Sequence, residues 1–189
     1  MEASKTTLEC LAMSIENIAT AMQRVESVFM RRPEAGIHDD APATASLDGD
    51  VKVITRHVDG TQLVTDMPRE LGGSGEYVTP GWLFRAGLAS CAATSIALRA
   101  ATEGVGLTLL EVIARSRSDA RGLLGMSEPS GEPVYAGPFD MQLHVRIGAD
   151  GVAAERLRGL VEDSLRHSPI PNAVAHATQL ALHIDVQAS

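Results

Sequence analysis

Of the two thiols in the sequence, Cys91 is the better candidate for a chemical role. Cys10 belongs to a helical pattern near the N-terminus, whereas Cys91 lies in an uncharged stretch from Ala86 to Leu98. A thiol is nucleophilic as the thiolate, which burial disfavours and a neighbouring cation favours. A lone cysteine among alanines is more often a small apolar core residue. Redox chemistry at Cys91 therefore requires an Arg, Lys or His from another element.

The stretch around Cys91 belongs to a long predicted helix. Thr79 is a suitable N-cap and Pro80 a suitable first helical residue, and the helix is expected to continue to about Glu103, before Gly104. Because the stretch carries no charge on any face, we expect it to be buried on every side, by sheets or by partner helices.

Alternating apolar and polar residues predict antiparallel strands around this helix. The expected strands are Val51–His57 and Thr61–Thr65, joined by an Asp59-Gly60 hairpin turn, then Leu107–Arg117, Phe139–Ile147 and Leu180–Val186. A further helix is expected from about Ala153 to His167. This order of elements predicts an α+β domain with antiparallel sheet.

The N-terminal segment has a seven-residue apolar repeat. Its members are Leu8, Leu11, Ile15, Ile18, Met22, Val25 and Phe29. The repeat predicts a helix within residues 1–32, starting at Thr6 or Thr7 and ended by Pro33. Such a helix either lies on its own domain or packs against a second copy or another partner. Residues 33–49 are interpreted as a linker and residues 50–189 as the main domain.

Charge and composition exclude several classes of partner. Acidic residues outnumber basic ones 24 to 16, for a net charge of -8, which argues against nucleic acid and anionic membranes. The uncharged stretch is shorter than the roughly 20 apolar residues of a membrane-spanning helix, and no signal peptide is recognisable. We therefore expect a cytoplasmic protein with reduced thiols. The spacing of His167 and His176 does not suit a metal site, and we expect no metal and no cofactor.

Three motifs, in order, resemble the OsmC/Ohr family. The first is MPRELGGSGEYVTPGWLFRAGLASC, ending at Cys91; the second is DARGLLG, residues 119–125; the third is HSPI, residues 167–170. In that family a glycine-rich loop leads through a proline into a central helix with a peroxide-reactive cysteine. The resemblance covers about residues 50–187. It implies an α+β fold with antiparallel sheets around a long buried helix, an intertwined homodimer, and sites at the subunit interface.

The resemblance also implies a role for each motif position. Cys91 takes the position of the peroxidatic thiol, Gly81 that of a glutamate at the start of the helix, and Ser168 that of the resolving cysteine. The family's thiolate-stabilising arginine lies on an early strand, but residues 46–51 contain none. A serine cannot form a disulfide, so oxidised Cys91 would need an external thiol, or Cys10, for its reduction.

Three arginines are candidates for the missing cation. Arg69, in the glycine-rich loop, is the preferred candidate, and Arg56 and Arg85 are the alternatives. Arg85 precedes Cys91 by six residues, which places the two side chains on different faces of the helix.

Three functions remain open from the sequence. The first is a thiol-dependent reductase of organic hydroperoxides that uses Cys91 and an external thiol. The second is a non-catalytic dimer that binds a small apolar ligand in an interface cleft. The third is a structural protein that recruits a partner through its N-terminal heptads.

Overall fold

The structure, a computed structural model, describes the backbone of residues 2–187 and the side chains of residues 15–187. It contains α1 (Glu2–Arg31), β1 (Thr44–Leu47), β2 (Val53–Arg56), β3 (Gln62–Thr65), α2 (Pro80–Thr102), β4 (Leu107–Arg117), α3 (Ala120–Leu123), β5 (Phe139–Ala149), α4 (Ala154–Arg166) and α5 (Pro169–Ala175). Strands β1, β2 and β3 form one antiparallel sheet in that order, and β4 pairs antiparallel with β5 in a second sheet. The predicted α+β class is confirmed.

Helix α2 begins and ends where the sequence predicts. The Thr79 side chain accepts a hydrogen bond from the Trp82 backbone N–H at 3.2 Å, and Pro80 occupies the first helical turn. Gly104 follows with φ +68°, a left-handed conformation that favours glycine and ends the helix. These local signals place Cys91 near the middle of a 23-residue helix.

The core lies between α2, α4 and the β4–β5 sheet. Ile96 and Ala100 of α2 are buried against Val105 and against Leu157 and Leu160 of α4. Strands β4 and β5 add partly buried apolar side chains to the same cluster. One face of α2 is thereby fixed against its own chain.

Within the single chain, α2 is not buried on every side. Ser90 and Thr94 are exposed, and Trp82 and Phe84 near the start of the helix are 49% and 42% exposed. The apolar pattern indicates burial, and α1, β4, α4 and α5 all contact α2, but they leave these four side chains uncovered.

By length and composition alone, α2 could cross a membrane, with a mean hydropathy of 1.2. Its buried residues Leu88, Ala92 and Ile96 lie on the face that packs against the rest of the chain. The core helix of a globular domain has the same composition, so this likeness to a membrane span is weak.

Two of the strand assignments differ from expectation. Strand β1 lies within the predicted linker 33–49, which is therefore only partly irregular. Conversely, residues 177–187 form no regular structure, and the predicted last strand is unpaired. Its apolar side chains are strongly exposed, from 73% at Ile184 to 94% at Leu180. A strand requires a neighbouring strand, and none is supplied here by the described part of the same chain.

Helix α1 extends further towards the N-terminus than predicted. It begins at Glu2 instead of near Thr6 or Thr7, and it ends at Arg31, before Pro33. It contacts α2 of its own chain. The side chains of the first heptad positions, and that of Cys10, lie outside the described residues.

Candidate functional site: a thiol and two hydroxyls

The thiol of Cys91 contacts the start of another helix, α5. Ser168 lies between α4 and α5, where it is the N-cap residue of α5, and its side chain is fully buried. The Cys91 Sγ and Ser168 Oγ atoms are 3.3 Å apart, and either can be the donor. The backbone N–H of Ile170 also donates to Cys91 Sγ, with an N···S distance of 3.5 Å. The structure thus brings two of the sequence-predicted site residues, Cys91 and Ser168, into contact.

A third residue, Ser95, joins this pair and was missed by sequence reasoning. It lies one helical turn after Cys91 on α2, so both side chains point the same way. Its hydroxyl donates to Ser168 Oγ at 2.9 Å. The i, i+4 spacing was visible in the sequence, but the partner 73 residues away was not.

The preferred cation, Arg69, lies in its own loop. Its Nε donates to the backbone carbonyl of Ser74 at 3.0 Å. Arg85 donates from Nη1 to the Ser116 hydroxyl of β4 at 3.3 Å. Within the described side chains, no arginine, lysine or histidine forms a hydrogen bond with the sulfur of Cys91.

The position of the family's glutamate, Gly81, lies beside a cation. Gly81 is exposed, and the Arg85 Nη1 atom lies 3.8 Å from the place where a Cβ on Gly81 would be. This part of the site therefore carries positive charge where the resemblance implies negative charge.

An arginine does reach the early-strand position despite its absence from residues 46–51. Arg56 on β2 crosses to β1, where its Nη1 donates to the Ser46 hydroxyl at 2.6 Å. The antiparallel register pairs Arg56 with Thr44 and so brings its side chain next to Ser46. The guanidinium of an arginine on β2 thus lies beside β1, the early strand of the β1–β3 sheet.

The glycine-rich loop before α2 is held by a buried carboxylate, Asp66. Its two oxygens accept hydrogen bonds from the Met67 N–H at 2.7 Å, the Ser74 N–H at 2.8 Å and the Ser74 hydroxyl at 2.6 Å. These bonds, that of the Ser74 hydroxyl above all, lower the pKa of Asp66 below its ordinary value. Gly73 is required here, because a Cβ would overlap the Met67 carbonyl. Sequence reasoning named the loop but not the aspartate.

The second motif, residues 119–125, forms a structural turn. Asp119 caps the short helix α3, and the Arg121 guanidinium lies 2.6 Å from Asp119 and 2.9 Å from Glu128. The hydrogen bond from Arg121 lowers the pKa of Asp119. A Cβ on Gly122 would lie 2.6 Å from the Tyr135 carbonyl, so the glycine permits close packing of two backbone segments. This motif shapes the fold away from the thiol.

A groove of about 690 Å³ lies between α1, α2 and α4. It is lined by Met22, Val25, Glu26, Phe29, Met30, Ser95, Leu98, Arg99, Thr102, Asp163, Ser164 and His167. The arginine at its rim is paired, since Arg99 lies 2.6 Å from Glu103 and 3.2 Å from Asp163. Ser95 connects this largely apolar groove with the thiol. Among the described side chains, no group of three or more His, Cys, Asp or Glu residues is arranged to hold a metal.

The geometry defines a class of protein: an α+β protein in which a thiol on the central helix contacts the start of another helix. The chain belongs to the OsmC-like family. The family model described as "OsmC-like protein" matches residues 73–183, more than half of the chain. No curated protein matches the chain in sequence.

Solved structures show the same fold at low sequence identity. An OsmC-like protein from Mycoplasma pneumoniae has a TM-score of 0.61 and 17% identity, with 80% of this chain and 98% of that chain covered. An organic hydroperoxide resistance protein OsmC from Legionella pneumophila has a TM-score of 0.53 and 22% identity, with 74% and 93% covered. An organic hydroperoxide resistance protein from Elizabethkingia anophelis has a TM-score of 0.54 and 20% identity, with 75% and 91% covered.

Proposed function

We propose that the protein is a thiol-dependent reductase of organic hydroperoxides in which Cys91 is the reacting group and an external thiol is the reductant. The observation that carries the proposal is the 3.3 Å contact between Cys91 Sγ and Ser168 Oγ, at the two positions where the family places its reactive thiols. Cys91 therefore faces the third motif, residues 167–170, and does not belong to the buried apolar cluster.

The proposed reaction proceeds in three balanced steps. The Cys91 thiolate attacks the hydroperoxide, the O–O bond breaks, the alcohol leaves with a proton, and the sulfur becomes a sulfenic acid. An external thiol then attacks this sulfur, so that an S–S bond forms and water leaves. A second external thiol breaks the mixed disulfide, which releases Cys91 and an external disulfide. The hydroperoxide gains two electrons, and two external thiols lose one each.

Ser168 determines where the external thiol must act. A hydroxyl cannot attack the sulfenic acid to form a disulfide, so the external thiol must attack the oxidised sulfur of Cys91 itself. Small thiols are abundant in the cytoplasm, where we place the protein.

The experiment uses the Cys10→Ser protein, in which Cys91 is the remaining cysteine. We expect cumene hydroperoxide to be consumed in the presence of a monothiol and a dimedone adduct to form on Cys91 when the thiol is omitted. Cys91→Ser should abolish both results. Hydroperoxide consumption that survives in Cys91→Ser, or the absence of consumption and adduct in the parent, would refute the proposal.

The three arginines can be ranked in the same assay. Of these, Arg56 has the placement closest to that implied by the family, because its guanidinium lies at β1. We expect Arg56→Ala to lower kcat/KM by about tenfold, because the resemblance implies that an arginine at this position stabilises the thiolate. Arg69→Ala should act mainly through the loop that Arg69 braces, and so through protein stability.

The proposed active form is a homodimer. The β1–β3 sheet makes at most marginal contact with helices of the described chain, and Leu47 and Leu63 on it are 68% and 49% exposed. The open face of α2 and the unpaired residues 180–186 add further uncovered apolar surface. Light scattering should give twice the 20.0 kDa chain mass, and a monomer at micromolar concentration would refute the dimer.

Binding of a small apolar ligand without catalysis remains the second candidate, favoured by the groove between α1, α2 and α4. Its volume of about 690 Å³ lies within the usual range of ligand sites, and Arg99 at its rim is already paired with Asp163. If this hypothesis is correct, Cys91→Ser should bind a neutral apolar fluorophore as well as the parent protein does. Neither protein should consume hydroperoxide.

A further inference from the structure

We propose that Ser95 is a positioning residue that directs the Ser168 hydroxyl proton onto the sulfur of Cys91, so that neutral donors within the chain stabilise the thiolate. This inference rests on the proposed function of Cys91 and deepens it. It concerns how the sulfur becomes reactive where the described residues place no cation in hydrogen-bond contact with it.

The direction of the hydrogen bonds follows from counting protons. A serine hydroxyl has one proton to donate and can accept further hydrogen bonds. Ser95 donates its proton to Ser168 Oγ at 2.9 Å. The proton of Ser168 is then free to point at its other neighbour, Cys91 Sγ, at 3.3 Å. In the thiolate state the sulfur has no proton, so Ser168 must be the donor.

A second donor also contacts the same sulfur, the backbone N–H of Ile170. The Ile170 N–H lies in the first turn of α5, where backbone N–H groups have no partner within the helix. It points instead at Cys91 Sγ, 3.5 Å away. Hydrogen bonds to the charged form of a group favour that form, and here two of them converge on one atom.

Burial makes this short chain of hydrogen bonds effective. Ser168 is fully shielded from water, so water does not compete for its hydroxyl. Without Ser95, the Ser168 hydroxyl loses the partner that fixes its orientation and can accept a hydrogen bond from the thiol as readily as it donates one. Ser95 is therefore expected to act on the sulfur without touching it.

The experiment measures alkylation of Cys91 by iodoacetamide across pH in the Cys10→Ser protein. We expect Ser95→Ala to slow alkylation at neutral pH by about three- to tenfold, as for partial loss of one hydrogen bond to a charged group. At alkaline pH the rates should converge. Ser95→Thr, which keeps the hydroxyl, should restore the parent rate.

Ser90→Ala is the matched control, since Ser90 is an exposed serine of the same helix, next to Cys91. Equal rates for Ser95→Ala and the parent at neutral pH would overturn the inference. A deficit in Ser95→Ala that persists at alkaline pH would also overturn it, because access to the sulfur would then have changed. Alkylation needs no hydroperoxide, so an enzyme that fails to consume hydroperoxide but shows the expected pH dependence refutes the proposed function alone.

Discussion

Replacing Ser168 with cysteine should create a disulfide with Cys91. The Ser168 oxygen already lies 3.3 Å from the Cys91 sulfur, so the S–S bond of about 2.05 Å requires only a small approach of the two side chains. The two residues are separated by 77 positions, and closing a loop of this length stabilises the folded state by up to about 4.5 kcal/mol through the entropy of the unfolded chain. Measured values for engineered disulfides often fall below this limit.

The assay uses Ser168→Cys in the Cys10→Ser background, treated with one equivalent of organic hydroperoxide. We expect the intact mass to fall by two hydrogens, the midpoint of urea unfolding to rise, and reductant to reverse both changes. Ser164→Cys is the control, because Ser164 is also buried but donates to the Leu160 carbonyl and not to Cys91. Accumulation of sulfenic acid without a disulfide in Ser168→Cys would refute the geometry on which the site is built.

Two predictions concern the loop before α2. Gly73→Ala should destabilise the protein by about 2 kcal/mol or more in urea titrations, because its Cβ overlaps the Met67 carbonyl. Gly159→Ala is the control: a Cβ there meets no atom within 4 Å, so this substitution should stabilise the protein slightly. Because hydrogen bonds lower the pKa of Asp66, its ionised form should stabilise the fold above the ordinary aspartate pKa of about 3.9, and this contribution should be lost as the pH falls through its lower folded-state pKa. The stability gap between the parent and Asp66→Asn should therefore narrow on acidification, and a gap independent of pH would contradict the role of the carboxylate.

The elements carried by local signals were predictable from the sequence. The cap at Thr79, the proline after it and the strict alternation in β5 each specify structure through residues close in the chain. Strand β1 was not predictable in this way, because Thr44–Leu47 is short, follows irregular sequence and is exposed throughout. Its position is determined by its pairing with β2.

Only part of the candidate site was predictable from the sequence, because some of its contacts form only when the chain folds. Cys91 and Ser168 were found from the order of motifs, whereas periodicity alone made Cys91 an ordinary core residue. Ser95 and Asp66 were missed, because each acts through a hydroxyl or backbone group that the fold brings close. Arg56 was considered, but its reach to β1 depends on strand register.

The uncovered segment from Leu180 to Val186 makes a newly made chain prone to aggregation. Alternating apolar residues with their backbone unpaired can template strand addition by other chains, the first step towards aggregation. Asp185 lies between Ile184 and Val186, on the opposite face of this alternating run, and its carboxylate opposes the stacking of identical segments, since like charges would be brought into register. The charge of Asp185 thus opposes aggregation of new chains until their apolar surface is covered.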